Sequence, residues 1–322
     1  MITTVVGNYP KVPSLGGGPN LRRALSQFDE GRIAAEELGR VVAEATRDAI
    51  QEQVDAGIDI VTDGHIRWED GQTYFARHLA GFHVNGLLRY FDSNTYFRQP
   101  VVEGPIGWTG PISVRDYEYA AGASSRPVKA VVTGPYTLAA LSHADRPRAE
   151  VALELARALR QEILALQQAG CPLIQVDEPA ALRARDEAPL VKQTLRELTS
   201  GVTAKLALYT YFGDVKGLAP DLFDLPFQVF GLDFVSGPAN FDLLEGFPAG
   251  KELGAGLLDA RNTKMESMEE IVSALRRISR FVPLDRVHLN PSCGLEFLPR
   301  ANAHQKLLRL VEAARAAEQA LS

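Results

Sequence analysis

Short apolar runs of five or six residues alternate along the chain with longer stretches in which apolar positions recur every three or four residues. The first pattern fits strands buried on both faces and the second fits amphipathic helices, so the chain reads as repeated strand–helix units. Strands are expected over 3–7, 58–62, 128–133, 173–176, 205–209, 228–233, 252–258 and 286–290. Helical period is expected over 32–56, from Tyr136 onward, over 148–169, and near 187–199, 214–224, 239–245, 266–281 and 301–320. Eight such units follow one another without a low-complexity linker, which predicts one (β/α)8 barrel domain spanning 1–322. The exception lies after the second strand, where about 67–125 carry aromatics, Gly, Asn and Pro without helical period. That insertion reads as a hairpin or excursion laid over one end of the sheet. A doubly wound open sheet would instead place a glycine-rich phosphate loop directly after its first strand. Gly16-Gly17-Gly18 stands further on, is followed by Pro19, and reads as a mobile loop.

Composition narrows the function classes. The 322 residues are 46% hydrophobic and 23% charged, as in an ordinary globular protein. A formal net charge of −6 argues against nucleic acid or an anionic membrane as the main partner and favours a small molecule. The start lacks a basic segment followed by a long apolar one, and no apolar run is long enough to span a bilayer, so the cytoplasm is the expected compartment. Cys171 and Cys293 lie too far apart in the sequence for a zinc knuckle and are too few for a disulfide framework.

In a barrel, polar residues at the carboxyl ends of the strands share one site however distant they are in sequence. Those positions hold Gly7 and Asn8, Asp63 and His65, Thr133, Asp177 and Glu178, Tyr209 and Tyr211, Asp233, Asp259 with Arg261 and Asn262, and Asn290 to Cys293. Asp177 and Glu178 stand out, because two adjacent acids end an apolar strand and Pro179 then stops it. His65 has the chemistry of a general base, although a backbone carbonyl can equally satisfy a loop histidine. Tyr209 and Tyr211, two apart, face the same side of an extended segment, where barrel packing competes with ligand contact. Arg261 with Asn262 can fork onto a carboxylate or phosphate. His288 within its strand and Cys171 before Pro172 read as structural.

Val5-Val-Gly-Asn-Tyr-Pro10, Val131-Val-Thr-Gly-Pro135, Ile174-Gln-Val-Asp-Glu-Pro-Ala180 and Leu289-Asn-Pro-Ser-Cys-Gly-Leu295, in that order, resemble the cobalamin-independent methionine synthase family. The resemblance spans nearly the whole chain. It implies a single barrel that transfers a methyl group to the sulfur of homocysteine or a related thiol, from a folate or a methylated corrinoid. It further implies that Asp177 holds the substrate amine. The residues themselves offer Gly7, Asn8, Tyr209, Tyr211 and Asn262 as substrate contacts and His65, Glu178 and Arg261 as catalytic groups, although His65 stands where the family has an acid and Arg261 where it has its catalytic histidine.

In that family, zinc lowers the pKa of the acceptor thiol. Of the four ligands the resemblance leads one to expect, only Asp233 and Cys293 are of suitable type, because Tyr209-Thr210-Tyr211 stands where a His-x-Cys pair would be. Two protein ligands make zinc disfavoured. Tyr209 to Gly213, Asp259 to Asn262 and Pro291 to Leu295 resemble the non-catalytic amino-terminal barrel of the long enzymes. Three functions remain open: the methyltransferase, a zinc-free lyase or decarboxylase acting on a small amino-acid-like or anionic ligand, and a non-catalytic partner of a separate zinc-bearing barrel.

Overall fold

The computed structural model describes residues 1–12, 20–93 and 95–321. Gly16 to Gly18, read above as a mobile loop, lie outside the described residues. The chain order is β1 (Ile2–Thr3), α1 (Leu21–Asp29), α2 (Ala35–Asp55), α3 (Gly71–His78), β2 (Leu79–Arg89), β3 (Tyr96–Trp108), α4 (Val114–Ala123), β4 (Ala130–Thr133), α5 (Pro135–Leu141), α6 (Arg148–Gln168) and β5 (Ile174–Asp177). It continues through α7 (Ala188–Thr199), β6 (Leu206–Tyr209), β7 (Val229–Asp233), β8 (Glu252–Leu258), α8 (Met268–Ile278), β9 (Val287–Pro291) and α9 (Arg300–Leu321).

Seven of the strands form one parallel sheet in the order β1-β9-β8-β7-β6-β5-β4. The gap between β1 and β4 is closed by Ile60, bridged to Thr4, and Val61, bridged to Val128. The ring is therefore a (β/α)8 barrel whose second strand is reduced to two bridging residues. Gln53 of α2 explains the reduction. Its amide accepts from the Thr62 N–H at 3.0 Å and donates to the Thr62 carbonyl at 3.1 Å, so a side chain takes the place of a neighbouring strand.

The helices form where an apolar stripe can reach the ring. On α6 the buried residues Val151, Leu155, Leu159, Ile163 and Leu166 repeat every three or four positions. Two expected helical spans differ from the reading. Residues 214–224 form turns with a 3-10 turn at Asp221–Asp224, and 239–245 lie in a 3-10 run, Pro238–Gly246. Pro220, Pro226 and Pro238 break the α pattern there. The insertion also contains more order than its composition suggests. β2 and β3 form an antiparallel hairpin, flanked by α3 and α4. Asp70 starts α3 by accepting from the Gln72 and Thr73 N–H groups at 2.9 and 2.7 Å.

Glu162 of α6, fully buried, pins the end of the insertion to the barrel. It accepts from Trp108 Nε1 at 2.9 Å and from the N–H groups of Ile112 and Ser113 at 2.8 and 2.7 Å. At the other end the hairpin tip is held to the barrel rim by Arg183, paired with Asp92 at 2.6 Å. The hairpin thus roofs the carboxyl ends of the strands. Among the described residues, no helix is long and apolar enough to cross a membrane.

Candidate active site

Beneath the hairpin lies a cavity of about 300 Å³, at the small end for a ligand pocket. Asn8, Lys11, His65, Asp177, Tyr211 and Glu296 provide its polar wall, and Trp68, Tyr90, Tyr96 and Phe97 its aromatic one. It draws on seven separate stretches of sequence.

Asp177 ends β5 with its side chain inside the barrel, 8% exposed. Its Oδ1 accepts from Gln175 Nε2 at 2.7 Å and its Oδ2 from the Tyr211 hydroxyl at 3.2 Å. Burial pushes its pKa up to about 7, against the pull of the Gln175 hydrogen bond and the Lys129 charge. Lys129, just before β4, is 1% exposed and its Nζ has no hydrogen-bond partner among the described residues; it lies 4.9 Å from the centre of the Tyr209 ring. Burial brings its pKa down to about 7, with Asp177 opposing.

Glu178 is the next residue and faces the other way. Its carboxylate accepts from the N–H groups of Tyr136 and Thr137 and closes the start of α5. It does not line the cavity, so the catalytic role expected for it is replaced by a helix cap.

His65 follows Gly64 in a left-handed turn, with φ of +50° at the histidine itself, a strained conformation for a side chain with a Cβ. The ring stacks on Trp68, 3.7 Å between centroids and 14° between planes. Its Nδ1 lies 2.7 Å from Asn8 Oδ1. Asn8 Nδ2 in turn donates to Glu296 Oε1 at 3.0 Å. Burial, then Lys11 and Lys129, hold the His65 pKa well below its ordinary value. Burial pushes Glu296 up to about 7. A Cβ on Gly7 would stand 2.6 Å from His65 Cε1, and one on Gly294 would stand 2.2 Å from Glu296 Oε2. Both positions are therefore glycine for room. Gly7 acts by making space for the histidine and not by touching the cavity.

The remaining expected residues fall elsewhere. Tyr211 is in the cavity wall, but Tyr209 lies below it as barrel filling, its ring occupying the space that side chains at Gly231 and Gly254 would need. Arg261 is exposed at the rim, where Nη2 donates to the Asp92 carbonyl at 3.2 Å and the guanidinium sits 5.2 Å from the Phe212 ring centre. It supports the hairpin tip and does not enter the cavity. Asn262 is exposed too, and its Oδ1 accepts from the Lys264 N–H at 3.0 Å within its own loop.

The donors do not fit zinc. Asp233 is fully engaged by backbone, its Oδ1 accepting from the Val235 and Ser236 N–H groups at 2.9 Å each and its Oδ2 from Phe212 N–H at 3.0 Å. Cys293, 1% exposed, points its thiol at the Gly294 carbonyl at 3.5 Å. Burial, followed by the charges of Glu296 and Asp233, pushes that thiol well above its usual pKa. At the place of the His-x-Cys pair, the Tyr211 hydroxyl donates to Asp177. Among the described residues, no three of His, Cys, Asp or Glu converge to hold a metal ion.

Glu296, Lys129 and Trp68 were not singled out from the sequence. Lys129 had a readable signal, a lone charge inside the apolar run 128–133. Glu296 had none, since its role depends on Asn8, 288 positions away.

A barrel with a buried acid facing a roofed cavity at the carboxyl ends of its strands defines a small-molecule site of the kind this fold carries. The chain belongs to the cobalamin-independent methionine synthase family: the profile described as "Cobalamin-independent synthase, Catalytic domain" matches residues 1–316. That match runs unbroken through the second half, whose motifs resemble the amino-terminal barrel. A methionine synthase of Saccharolobus solfataricus is 33% identical over 316 residues, 96% of this chain and 92% of that one. The structure of a B12-independent methionine synthase from Shewanella sp., solved in complex with selenomethionine, superposes with a TM-score of 0.85 at 25% identity, covering 99% of this chain and 98% of the other. A putative vitamin-B12 independent methionine synthase from Listeria monocytogenes shares the fold, with a TM-score of 0.77 at 19% identity over 98% of each chain.

Proposed function

We propose that this protein is an S-methyltransferase that moves a methyl group onto the sulfur of homocysteine or a closely similar amino-acid thiol. The observation that carries the reading is Asp177, a buried carboxylate in the wall of a small cavity, within a family whose relatives are methionine synthases. An ammonium group placed there gains a charge-assisted hydrogen bond in a dry site, where such a bond is strong. Lys11, whose ammonium donates to the Trp68 carbonyl, is the cation within reach of the ligand's carboxylate. The relative from Shewanella binds selenomethionine, an amino acid carrying a methylated chalcogen, which is the chemical shape of the product proposed here.

In the reaction, the thiol loses its proton, a sulfur–carbon bond forms, and the bond between the methyl carbon and its carrier breaks with the electron pair leaving on the carrier. A folate or a methylated corrinoid meets that requirement. Tyr96, exposed in the cavity wall, offers such a flat carrier a stacking surface.

The test is calorimetric titration of the protein with homocysteine, paired with methionine formation from each methyl donor. Binding that disappears in Asp177→Asn, together with turnover on one donor, is the expected result. Absence of homocysteine binding, or binding indifferent to Asp177→Asn, overturns the reading.

A further inference from the structure

The resemblance implies zinc as the means of ionising the acceptor thiol, and this chain lacks the donor set for it. The cavity contains another group able to take the proton. His65 lines the cavity, and its Nε2 is buried on the side of Gly7 with no hydrogen-bond partner among the described residues; Asp63 Oδ1 lies 4.0 Å away. A polar atom left unpaired in a dry wall is expensive, by roughly 1–3 kcal/mol, and such atoms in folded proteins call for a reason.

The hydrogen-bond chain fixes what that nitrogen is. Asn8 gives its amide N–H to Glu296, so the oxygen of the same amide faces His65. An amide oxygen only accepts, and the 2.7 Å contact therefore places the imidazole proton on Nδ1. Nε2 is left as a bare lone pair. Three further features hold it in place: the stack on Trp68, the strained φ of His65, and the space cleared at Gly7. A histidine serving only to fill the core would need none of these.

We propose that His65, oriented by Asn8 and Glu296, is the base that removes the acceptor thiol proton in place of a metal. The inference rests on the reading of the cavity as an amino-acid thiol site. The S–H bond breaks and the proton passes to Nε2. The sulfur lone pair then attacks the methyl carbon, and the carrier departs with the electrons of the broken bond. The imidazolium finally returns its proton to the freed nitrogen of a folate carrier, or to solvent when the carrier is a corrinoid.

Burial keeps the free imidazole neutral, the form a base must have. Once it is protonated, the adjacent thiolate offsets the cost of the new charge, as in other thiolate–imidazolium pairs. His65, Glu296 and Asn8 all line the cavity, and Asn8 also positions the ring.

The experiment uses the full chain after exhaustive chelation, with homocysteine bound and methyl iodide as the methyl donor. Thiolate ultraviolet absorbance is followed against pH, alongside the rate of methionine formation. The bound thiol is expected to ionise at lower pH than free homocysteine without any metal. His65→Gln should remove that shift and slow methylation by roughly a hundredfold, while homocysteine still binds by calorimetry. Glu296→Gln frees the Asn8 amide to turn and present its N–H to the ring, which favours the other tautomer; a rate loss of about tenfold with binding retained is expected. A thiolate that appears only on adding zinc, or one unchanged in His65→Gln, overturns the proposal. If homocysteine fails to bind at all, the proposed function falls and this inference with it. If it binds and its thiol stays neutral at pH 7, only the inference falls.

Discussion

Glu178 reaches across from the end of β5 to Thr137, where its Oε2 accepts from the backbone N–H at 2.8 Å and from the Thr137 hydroxyl at 2.6 Å. Adjacent acids on a strand end point to opposite sides, so Asp177 enters the cavity and Glu178 leaves it. Glu178→Ala strands two backbone N–H groups in a dry site and should cost about 3 kcal/mol of stability. Urea denaturation measures this. A variant with near-normal stability and no turnover would restore Glu178 to the catalytic machinery.

The Tyr209 ring and Gly231 make a second pair whose dependence can be read directly. A Cβ on Gly231 would stand 2.3 Å from Tyr209 Cδ1, inside the packed interior of the barrel. Gly231→Ala should therefore destabilise by about 1–3 kcal/mol through overpacking. In combination with Tyr209→Leu the added methyl has room, and the double variant should lose less than the sum of the two singles. Strict additivity in thermal unfolding would argue against the assignment of Tyr209 as barrel filling.

The eight-fold repeat was readable because buried parallel strands and amphipathic helices each leave a period of their own in the sequence. What the period did not carry was decided by single side chains. Gln53 substitutes for a strand partner and shortens the second strand to Ile60 and Val61, and no local pattern announces a glutamine in that role. Asp70 starts a helix within an aromatic insertion that has no helical period. Asp177 could be located from the sequence as a residue at a strand end on the cavity side. Arg261 is at a strand end as well, yet it lies on the rim, because distance from the barrel axis is set by the loop path and not by strand register.

Lys129 and Asp177 form a buried pair whose charges depend on each other. Asp177, at about 7, is held down in part by the Lys129 charge. Lys129→Met keeps the length and removes the charge, so the Asp177 pKa must rise. An ammonium ligand needs the ionised acid, and the acid limb of homocysteine binding should move up by roughly one pH unit. The measurement is the dissociation constant between about pH 5.5 and 8.5. Weaker binding with an unmoved limb would make Lys129 a packing residue only.

Stability should follow pH in a direction opposite to that of proteins held by surface carboxylate pairs. Asp63, Asp177, Glu178 and Glu296 are each pushed up to about 7 by burial, from ordinary values of 3.8 for the aspartates and 4.5 for the glutamates. Between those values and 7 the folded chain binds more protons than the unfolded one. The stability these groups contribute is thus fully present below their unfolded values and is lost as pH rises through 7. His65 works against them: it is kept neutral in the fold, and its contribution is lost as pH falls through its unfolded value of 6.5. Lys129, lowered from 10.5 to about 7, acts above this window. Four acids outweigh one histidine, so the thermal midpoint should climb as pH drops from about 7.5 to about 5.5. Scanning calorimetry across that range decides it, and Asp63→Asn or Glu296→Gln should flatten the slope. A midpoint that falls steadily toward acid would mean that these carboxyls are ionised in the folded protein, each with a cationic partner close enough to hold it so.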